Sequence, residues 1–283
     1  MRLVSPNCAD LLTPNIEMRP FPDGDSYVRI LNLAQCQGED VTLIHRLYPK
    51  QNTAIFQALL LLDILRRVGS RVTMVVPYMA YSRQDKTFLE GEALSAQVLC
   101  KLLADAGVRK LVTLDCHFLK KEGKAEYNGL KIHNLSANQQ LVEHARTKIG
   151  LENLEVISPD EGANYLISEF GGKSMRKVRG NYQHNGEETE RGVSKIERDF
   201  DVKGENILIL DDMISTGGTM IKAVENVKKG GAKKVFCAAT HGLFLGDSLQ
   251  KLQKLSNGVF TTNSIENPVA EVDIKKILKE YLE

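Results

Sequence analysis

ILILDDMISTGGTM, residues 207–220, is the stretch from which the fold is read. Its first four residues are apolar without alternation, the pattern of a strand buried on both faces. Asp211 and Asp212 follow at the strand's carboxyl end, then a turn of hydroxyls and glycines, Ser215–Thr219, then a helical pattern over 219–229. A wholly apolar strand that turns directly into a helix belongs to a parallel sheet covered by helices on both sides. Ligands of such sheets bind beyond the carboxyl ends of the strands.

The same rhythm extends in both directions. Upstream, strands are expected at 41–45, 71–76 and 110–115, with helices at 53–68 and 93–106 between them. The first helix carries Ile55, Ala58, Leu59, Leu62 and Leu65 on one stripe. A second series follows: helix 138–149, strand 154–158, helix 162–170, strand 206–211, helix 219–229, strand 234–240, helix 247–255, strand 258–263 and helix 272–282. The expected fold is α/β with two similar domains, each a mainly parallel sheet flanked by helices. The boundary is placed near residues 132–136, giving domains 1–135 and 136–269, and segment 270–283 is expected to pack back on the first. Chemistry should then gather after Ile44, Val76, Leu114, Ser158 and Leu210.

Composition narrows the function classes. The 283 residues are 42% hydrophobic, enough for substantial cores, and the formal net charge is +1. That balance provides no overall attraction to nucleic acid or membrane, so neither is an expected partner. The five cysteines, Cys8, Cys36, Cys100, Cys116 and Cys237, are scattered with no CxxC pair, which reads as small buried hydrophobes of a reducing compartment. The N-terminus lacks the apolar run of a signal peptide, and the most apolar stretch, 58–62, is far too short to span a bilayer. A soluble cytoplasmic protein is expected.

Each part of the 207–220 segment has a chemical use. Adjacent carboxylates at a strand end accept hydrogen bonds from a vicinal diol. The Thr216-Gly217-Gly218-Thr219 turn lets backbone N–H groups approach an anion, and the helix N-terminus adds partial positive charge. A carboxylate pair beside an anion cradle suits a sugar phosphate. The bland alternative is a strand–turn–helix link with acidic N-capping residues. It accounts for one Asp and one Gly but not for Asp-Asp followed by hydroxyls bracketing Gly-Gly. No GxxxxGK[ST] phosphate loop occurs.

At these residues the sequence resembles the phosphoribosyl pyrophosphate loop shared by phosphoribosyltransferases and ribose-phosphate pyrophosphokinases. The string is most similar to the pyrophosphokinase form, DDMIDTGGT, with Ser215 in place of the second Asp, as in archaeal-type members. The resemblance implies two phosphoribosyltransferase-like domains. It also implies ribose 5-phosphate held by Asp211, Asp212, Ser215, Thr216, Gly217, Gly218 and Thr219.

Further strand-end motifs extend the resemblance along nearly the whole chain. PYMAYSRQDK, residues 77–86, reads by itself as a polar loop with an aromatic foot. It resembles the family's ATP loop, which implies ATP contacts from Arg83, Gln84 and Lys86. FPDGDSYVRI, residues 21–30, is a strong turn signal in its own right. It resembles the segment that reaches from a neighbouring subunit to the adenine, which implies ATP contacts from Phe21, Asp23 and Asp25 and a homo-oligomer, at least a dimer. LVTLDCH, residues 111–117, resembles the family's DLH pattern and implies that His117 serves the Mg-ATP site. SPDEGA, residues 158–163, resembles the SPDxG turn and implies Asp160 as a Mg2+ ligand, although an Asp there also reads as an N-cap. The charged stretch 173–194 reads as a solvated loop. Its Lys177 and Arg179 match the family's catalytic K-x-R segment.

The activity implied is transfer of the β,γ-pyrophosphoryl group of ATP to the C1 hydroxyl of ribose 5-phosphate, with Mg2+ as cofactor. A phosphoribosyltransferase would share the loop at 211–219 but would need neither the ATP loop nor a second α/β domain. A catalytically silent regulatory subunit would not need Asp211, Asp212, His117 and Lys177.

Overall fold

The computed structural model describes residues 1–147, 150, 153–179, 183–185, 188–190 and 193–282. Two compact units divide the chain, Met1–Ser136 with Ile277–Glu283 as one and Ala137–Lys276 as the other.

The first unit contains, in chain order, β1 (Arg2–Val4), β2 (Ile16–Pro20), β3 (Ser26–Ile30), β4 (Asp40–Ile44), α1 (Gln51–Arg67), β5 (Arg71–Val75), α2 (Ser95–Asp105), β6 (Val108–Leu114), β7 (Gly123–Tyr127) and β8 (Leu130–Leu135). Its six-stranded sheet runs β1-β4-β5-β6-β8-β7, parallel except for the edge strand β7. The central strands enter with exposed Asp40, Arg71 and Arg109 and then run mostly apolar and buried toward their carboxyl ends, as burial on both faces requires there. Strands β2 and β3 form a separate antiparallel hairpin. On α1 the buried row is Ala54, Ala58, Leu61, Leu62 and Leu65. The expected stripe is thus rotated slightly: Ile55 and Leu59 lie on its flank and are only half-buried. The end of the chain belongs to this unit, with the Tyr281 ring edge-on to His133 at 4.7 Å and Arg2 donating to the Leu282 carbonyl at 3.2 Å.

The second unit contains α3 (Asn138–Thr147), β9 (Leu154–Ser158), α4 (Asn164–Ile167), β10 (Lys173–Ser174), β11 (Arg176–Arg179), β12 (Gln183–Asn185), β13 (Glu188–Glu190), β14 (Val193–Glu197), β15 (Asn206–Ile214), α5 (Gly218–Lys229), β16 (Lys234–Gly242), α6 (Ser248–Leu255), β17 (Gly258–Thr262) and β18 (Ala270–Val272), followed by α7 (Lys275–Leu282). Its sheet, β10-β9-β15-β16-β17-β18, is parallel throughout. Ile207, Ile209, Val224, Val227, Val235, Cys237 and Leu252 lie in one apolar cluster between this sheet and its helices. Strands β11 and β14 form an antiparallel ribbon apart from the sheet, and β12 pairs with β13.

Three differences from the sequence reading matter. The single helix expected at 162–170 is a 3-10 turn, the one-turn α4 and a second 3-10 turn, ended by Gly171 at φ 65°. Strand β15 runs three residues beyond the expected end, because β16 accompanies it to the Met213–His241 and Ile214–Gly242 pairs. Residues 130–135, expected to lie outside any element, form β8, which pairs with β6 and β7, while the main segment of the first unit ends at Ser136, inside the expected boundary. Among the described residues, no helix is long and apolar enough to cross a membrane.

Candidate active site

Asp211 and Asp212 are the sixth and seventh residues of β15, so neither caps a helix. They alternate across the sheet: solvent reaches part of Asp211, whereas Asp212 is 6% exposed. The Asp212 N–H donates to the Asp211 carboxylate at 2.9 Å. Desolvation, then the negative charges of Asp212 and Asp160, push the Asp211 carboxyl well above the usual carboxylate range. Asp160, more than fifty positions away in sequence, is therefore brought into the field of this pair.

Beyond Ile214 the chain makes the predicted turn. Gly217, at φ 76°, is the N-cap of α5, and no side chain caps that helix among the described residues. The N-cap itself, a glycine, offers no side chain to the first backbone N–H groups of α5. A Cβ at 217 would come 3.0 Å from the Ser248 Cβ, so glycine is required for space as well as for dihedral. The turn is backed from behind: Leu245 N–H donates to the Ser215 carbonyl at 3.0 Å, and the Ser248 hydroxyl to the same oxygen at 3.3 Å. Ser215 and Thr219 are half-buried, and Thr216 and Gly218 are exposed.

Asp160 sits just after β9. One of its carboxylate oxygens accepts from Gly162 N–H at 2.8 Å, so the capping role is real. The buried Ser158 hydroxyl donates to the Asp160 carbonyl at 2.9 Å and lies 2.9 Å from the Ser174 hydroxyl. Met175 N–H donates to the Ser158 carbonyl at 3.0 Å. Ser158 thereby joins the Asp160 turn to the root of the β11–β14 ribbon. Lys177 and Arg179 fall on β11; their side chains lie outside the described residues.

The remaining assigned residues belong to the first unit. The tip between β2 and β3 is closed by Phe21 N–H on the Asp25 carbonyl (2.7 Å) and Asp25 N–H on the Asp23 carboxylate (3.1 Å). Phe21 is 46% exposed, edge-on to Tyr27 at 5.7 Å, and Asp23 and Asp25 are exposed. Phe21 is a large apolar ring displayed at a hairpin tip. The loop after β5 buries its first half, with Tyr78 edge-on to Tyr48 at 5.9 Å, and exposes Arg83, Gln84 and Lys86. Two bonds hold that exposed half: Ala96 N–H of α2 to the Gln84 carbonyl (3.1 Å), and the Tyr81 hydroxyl to Asn52 of α1. Among the described residues no side-chain bond or ion pair links the hairpin tip to Arg83, Gln84 or Lys86. His117 follows β6 in a turn whose first residue, Asp115, has φ 34° and is buried.

The other histidines whose side chains are described have structural partners. His45 is enclosed between the Ser5 hydroxyl and the Ala54 carbonyl, and His241 meets Ser264 at 2.8 Å. His144 pairs with Glu271 at 3.0 Å, and His133 packs on Tyr281. In the sequence, Ser158 reads only as a strand end, and Ser248 and Asn134 have no role. A buried asparagine in a strand was the one available signal, since strands are poor in Asn.

Comparison with known proteins follows the same division. Residues 7–107 match the family model for the N-terminal domain of ribose phosphate pyrophosphokinase, and residues 144–275 match that of the phosphoribosyl transferase domain. The ribose-phosphate pyrophosphokinase of Pyrococcus furiosus is 36% identical over 92% of this chain and 89% of its own length. That of Methanopyrus kandleri is 32% identical over 95% and 90%. The crystal structure of phosphoribosylpyrophosphate synthetase from Mycobacterium smegmatis has a TM-score of 0.79 at 25% identity, covering 100% of this chain and 97% of that one.

Proposed function

The chain belongs to the ribose-phosphate pyrophosphokinase family, and on that premise we propose how its residues divide the work of the reaction. The activity is that of the family: the β,γ-pyrophosphoryl group of ATP passes to the C1 hydroxyl of ribose 5-phosphate, releasing AMP and phosphoribosyl pyrophosphate. The observation that carries the site assignment is the carboxylate pair in β15 leading into an uncapped helix N-terminus.

Asp211 and Asp212 accept from the ribose diol. The backbone of Ser215–Thr219 at the start of α5 takes the 5-phosphate, as the helix dipole and the first-turn N–H groups favour. Arg83, Gln84 and Lys86 hold ATP from a loop pinned at Gln84. Phe21, Asp23 and Asp25 form an exposed tip suited to a second chain's nucleotide, which makes the working enzyme at least a homodimer. Lys177 and Arg179 place cations on the transferring group, where negative charge is spread in the transition state.

Mg2+ fits the donors present. Asp160 stands within the field of the Asp211–Asp212 carboxylates, three acidic groups gathered closely enough to raise the Asp211 carboxyl, a setting for a hard divalent ion. Among the described residues, no group of three or more His, Cys, Asp or Glu could hold a metal by itself. Mg2+ commonly binds through one or two protein groups and completes its shell with water and substrate phosphates. Asp160 of the second unit and His117 of the first are each assigned to Mg2+ binding at their own strand ends, and an ion when bound would supply positive charge to phosphate oxygens. Catalysis by the chain itself is positioning: the bound C1 hydroxyl is oriented for attack on the β-phosphorus.

The test is AMP release with and without ribose 5-phosphate. Release should require the sugar phosphate, and Asp212→Ala should raise KM for ribose 5-phosphate about ten- to hundredfold, the scale of a hydrogen bond to a charged group, with little change for ATP. Equal loss for both substrates would refute the diol assignment.

A further inference from the structure

The turn that carries His117 is held by a side chain that no motif includes. Asn134 lies on β8, 1% exposed, opposite Thr113 of β6. Its side-chain oxygen accepts from Cys116 N–H at 2.9 Å, and its side-chain nitrogen donates to the Lys121 carbonyl at 2.8 Å. One amide group therefore binds both flanks of the segment in which His117 sits.

The segment needs such a clasp. Asp115 is a buried non-glycine residue at φ 34°, a left-handed conformation that is costly for a residue with a Cβ. Its own N–H donates to the Leu135 carbonyl at 2.8 Å, and the neighbouring Cys116 N–H is the one given to Asn134. Cys116 is itself buried, and removing the Asn134 amide takes this acceptor from its backbone N–H. On the far side, the Lys121 carbonyl comes just after Lys120, another non-glycine residue at positive φ, 49°. A side chain whose donor and acceptor are both used, on a strand of the rigid sheet, fixes two ends of a strained turn that would otherwise relax.

We propose that Asn134 is a positioning residue for the reaction: its amide clasps the 115–121 turn so that His117 is presented to Mg-ATP. This rests on the reading of His117 given above. Aspartate at 134 would keep an acceptor for Cys116 N–H but lose the donor to Lys121. Alanine would lose both.

The experiment compares the wild type with Asn134→Ala, Asn134→Asp and His117→Ala, assayed well below their melting temperatures. Asn134→Ala should lower kcat/KM for Mg-ATP about 10- to 100-fold, the effect of removing a group that orients a ligand, and should raise the Mg2+ concentration for half-activation. KM for ribose 5-phosphate should stay within about twofold. Asn134→Asp should fall between the alanine variant and the wild type. Amide hydrogen exchange of the ligand-free enzyme should quicken over residues 115–121 in Asn134→Ala, with the remainder of β6 and β8 unchanged.

Wild-type Mg-ATP constants in Asn134→Ala, with only a lower melting temperature, would show a purely structural asparagine and overturn the inference. Unchanged exchange over 115–121 would do the same. If the alanine variant does not fold, Asn134→Asp decides by the same constants. A loss in His117→Ala with none in either Asn134 variant sinks this inference alone. An unaffected His117→Ala sinks the His117 reading and the inference with it.

Discussion

Acidification should destabilise this protein through His45. The ring is wholly enclosed at the end of β4, with Nδ1 2.8 Å from the Ser5 hydroxyl and Nε2 2.9 Å from the Ala54 carbonyl. A carbonyl only accepts, so Nε2 carries the proton and Nδ1 accepts from Ser5: the neutral tautomer satisfies both nitrogens. Burial pushes the pKa down to about 4 from 6.5. Below pH 6.5 the unfolded chain binds a proton that the folded one refuses, so stability is full above that pH and lost as pH falls toward 4. Linkage over this window gives a loss of about 2 kcal/mol between pH 7 and 5, and about 3 kcal/mol by pH 4. The assay is urea unfolding at pH 7, 6 and 5 for the wild type and His45→Gln. The variant starts lower by about 1 kcal/mol for a lost hydrogen bond but should lose about 2 kcal/mol less between pH 7 and 5. Parallel pH profiles for the two proteins would refute the reasoning, because every other titrating group is common to both.

Asp211→Asn should make the protein more stable at neutral pH, by about 1 kcal/mol, while abolishing use of ribose 5-phosphate. Folding raises this carboxyl's pKa, so the wild type loses stability as pH rises above the ordinary carboxylate range, and the variant's advantage should vanish below pH 4 in thermal melts. Gly217→Ala forces a left-handed alanine against Ser248; a loss of about 1–2 kcal/mol and a higher KM for ribose 5-phosphate are expected in melts and steady-state kinetics. Arg46, 3% exposed, pairs through both terminal nitrogens with Asp10 and donates to the Asn7 carbonyl at 3.0 Å. Arg46→Ala should cost about 3 kcal/mol by chemical denaturation, the lower end for a broken buried pair because Asp10 still meets solvent.

The parts of the fold legible in sequence were those made of apolar runs. Strand β9 matches its expected span, and β4, β5, β6 and β15–β17 fall close to theirs, because their buried stretches are runs of mostly apolar residues. The β2–β3 hairpin was read as a motif but not as strands: most of its residues, including Glu17, Arg19 and Arg29, keep contact with solvent and offer little apolar pattern. Strand β8 was lost between elements because Lys131, His133 and Asn134 interrupt LKIHNL, although Leu130, Ile132 and Leu135 are buried. At the site, the sequence placed Asp211, Asp212 and the Gly217 turn at a strand end. It did not show that both aspartates lie within the strand, nor that Asp160 shares their field. Such supports as Ser158, Ser248 and Asn134 act through backbone bonds to distant segments, and no local pattern encodes those.

The reaction is defined by the bond made and the bond broken. ATP labelled at its β-phosphorus, incubated with Mg2+, ribose 5-phosphate and the enzyme, should give unlabelled AMP in amounts equal to a labelled phosphoribosyl pyrophosphate, and nothing when the sugar phosphate is omitted. Label appearing in ADP, or AMP released without ribose 5-phosphate, would contradict it.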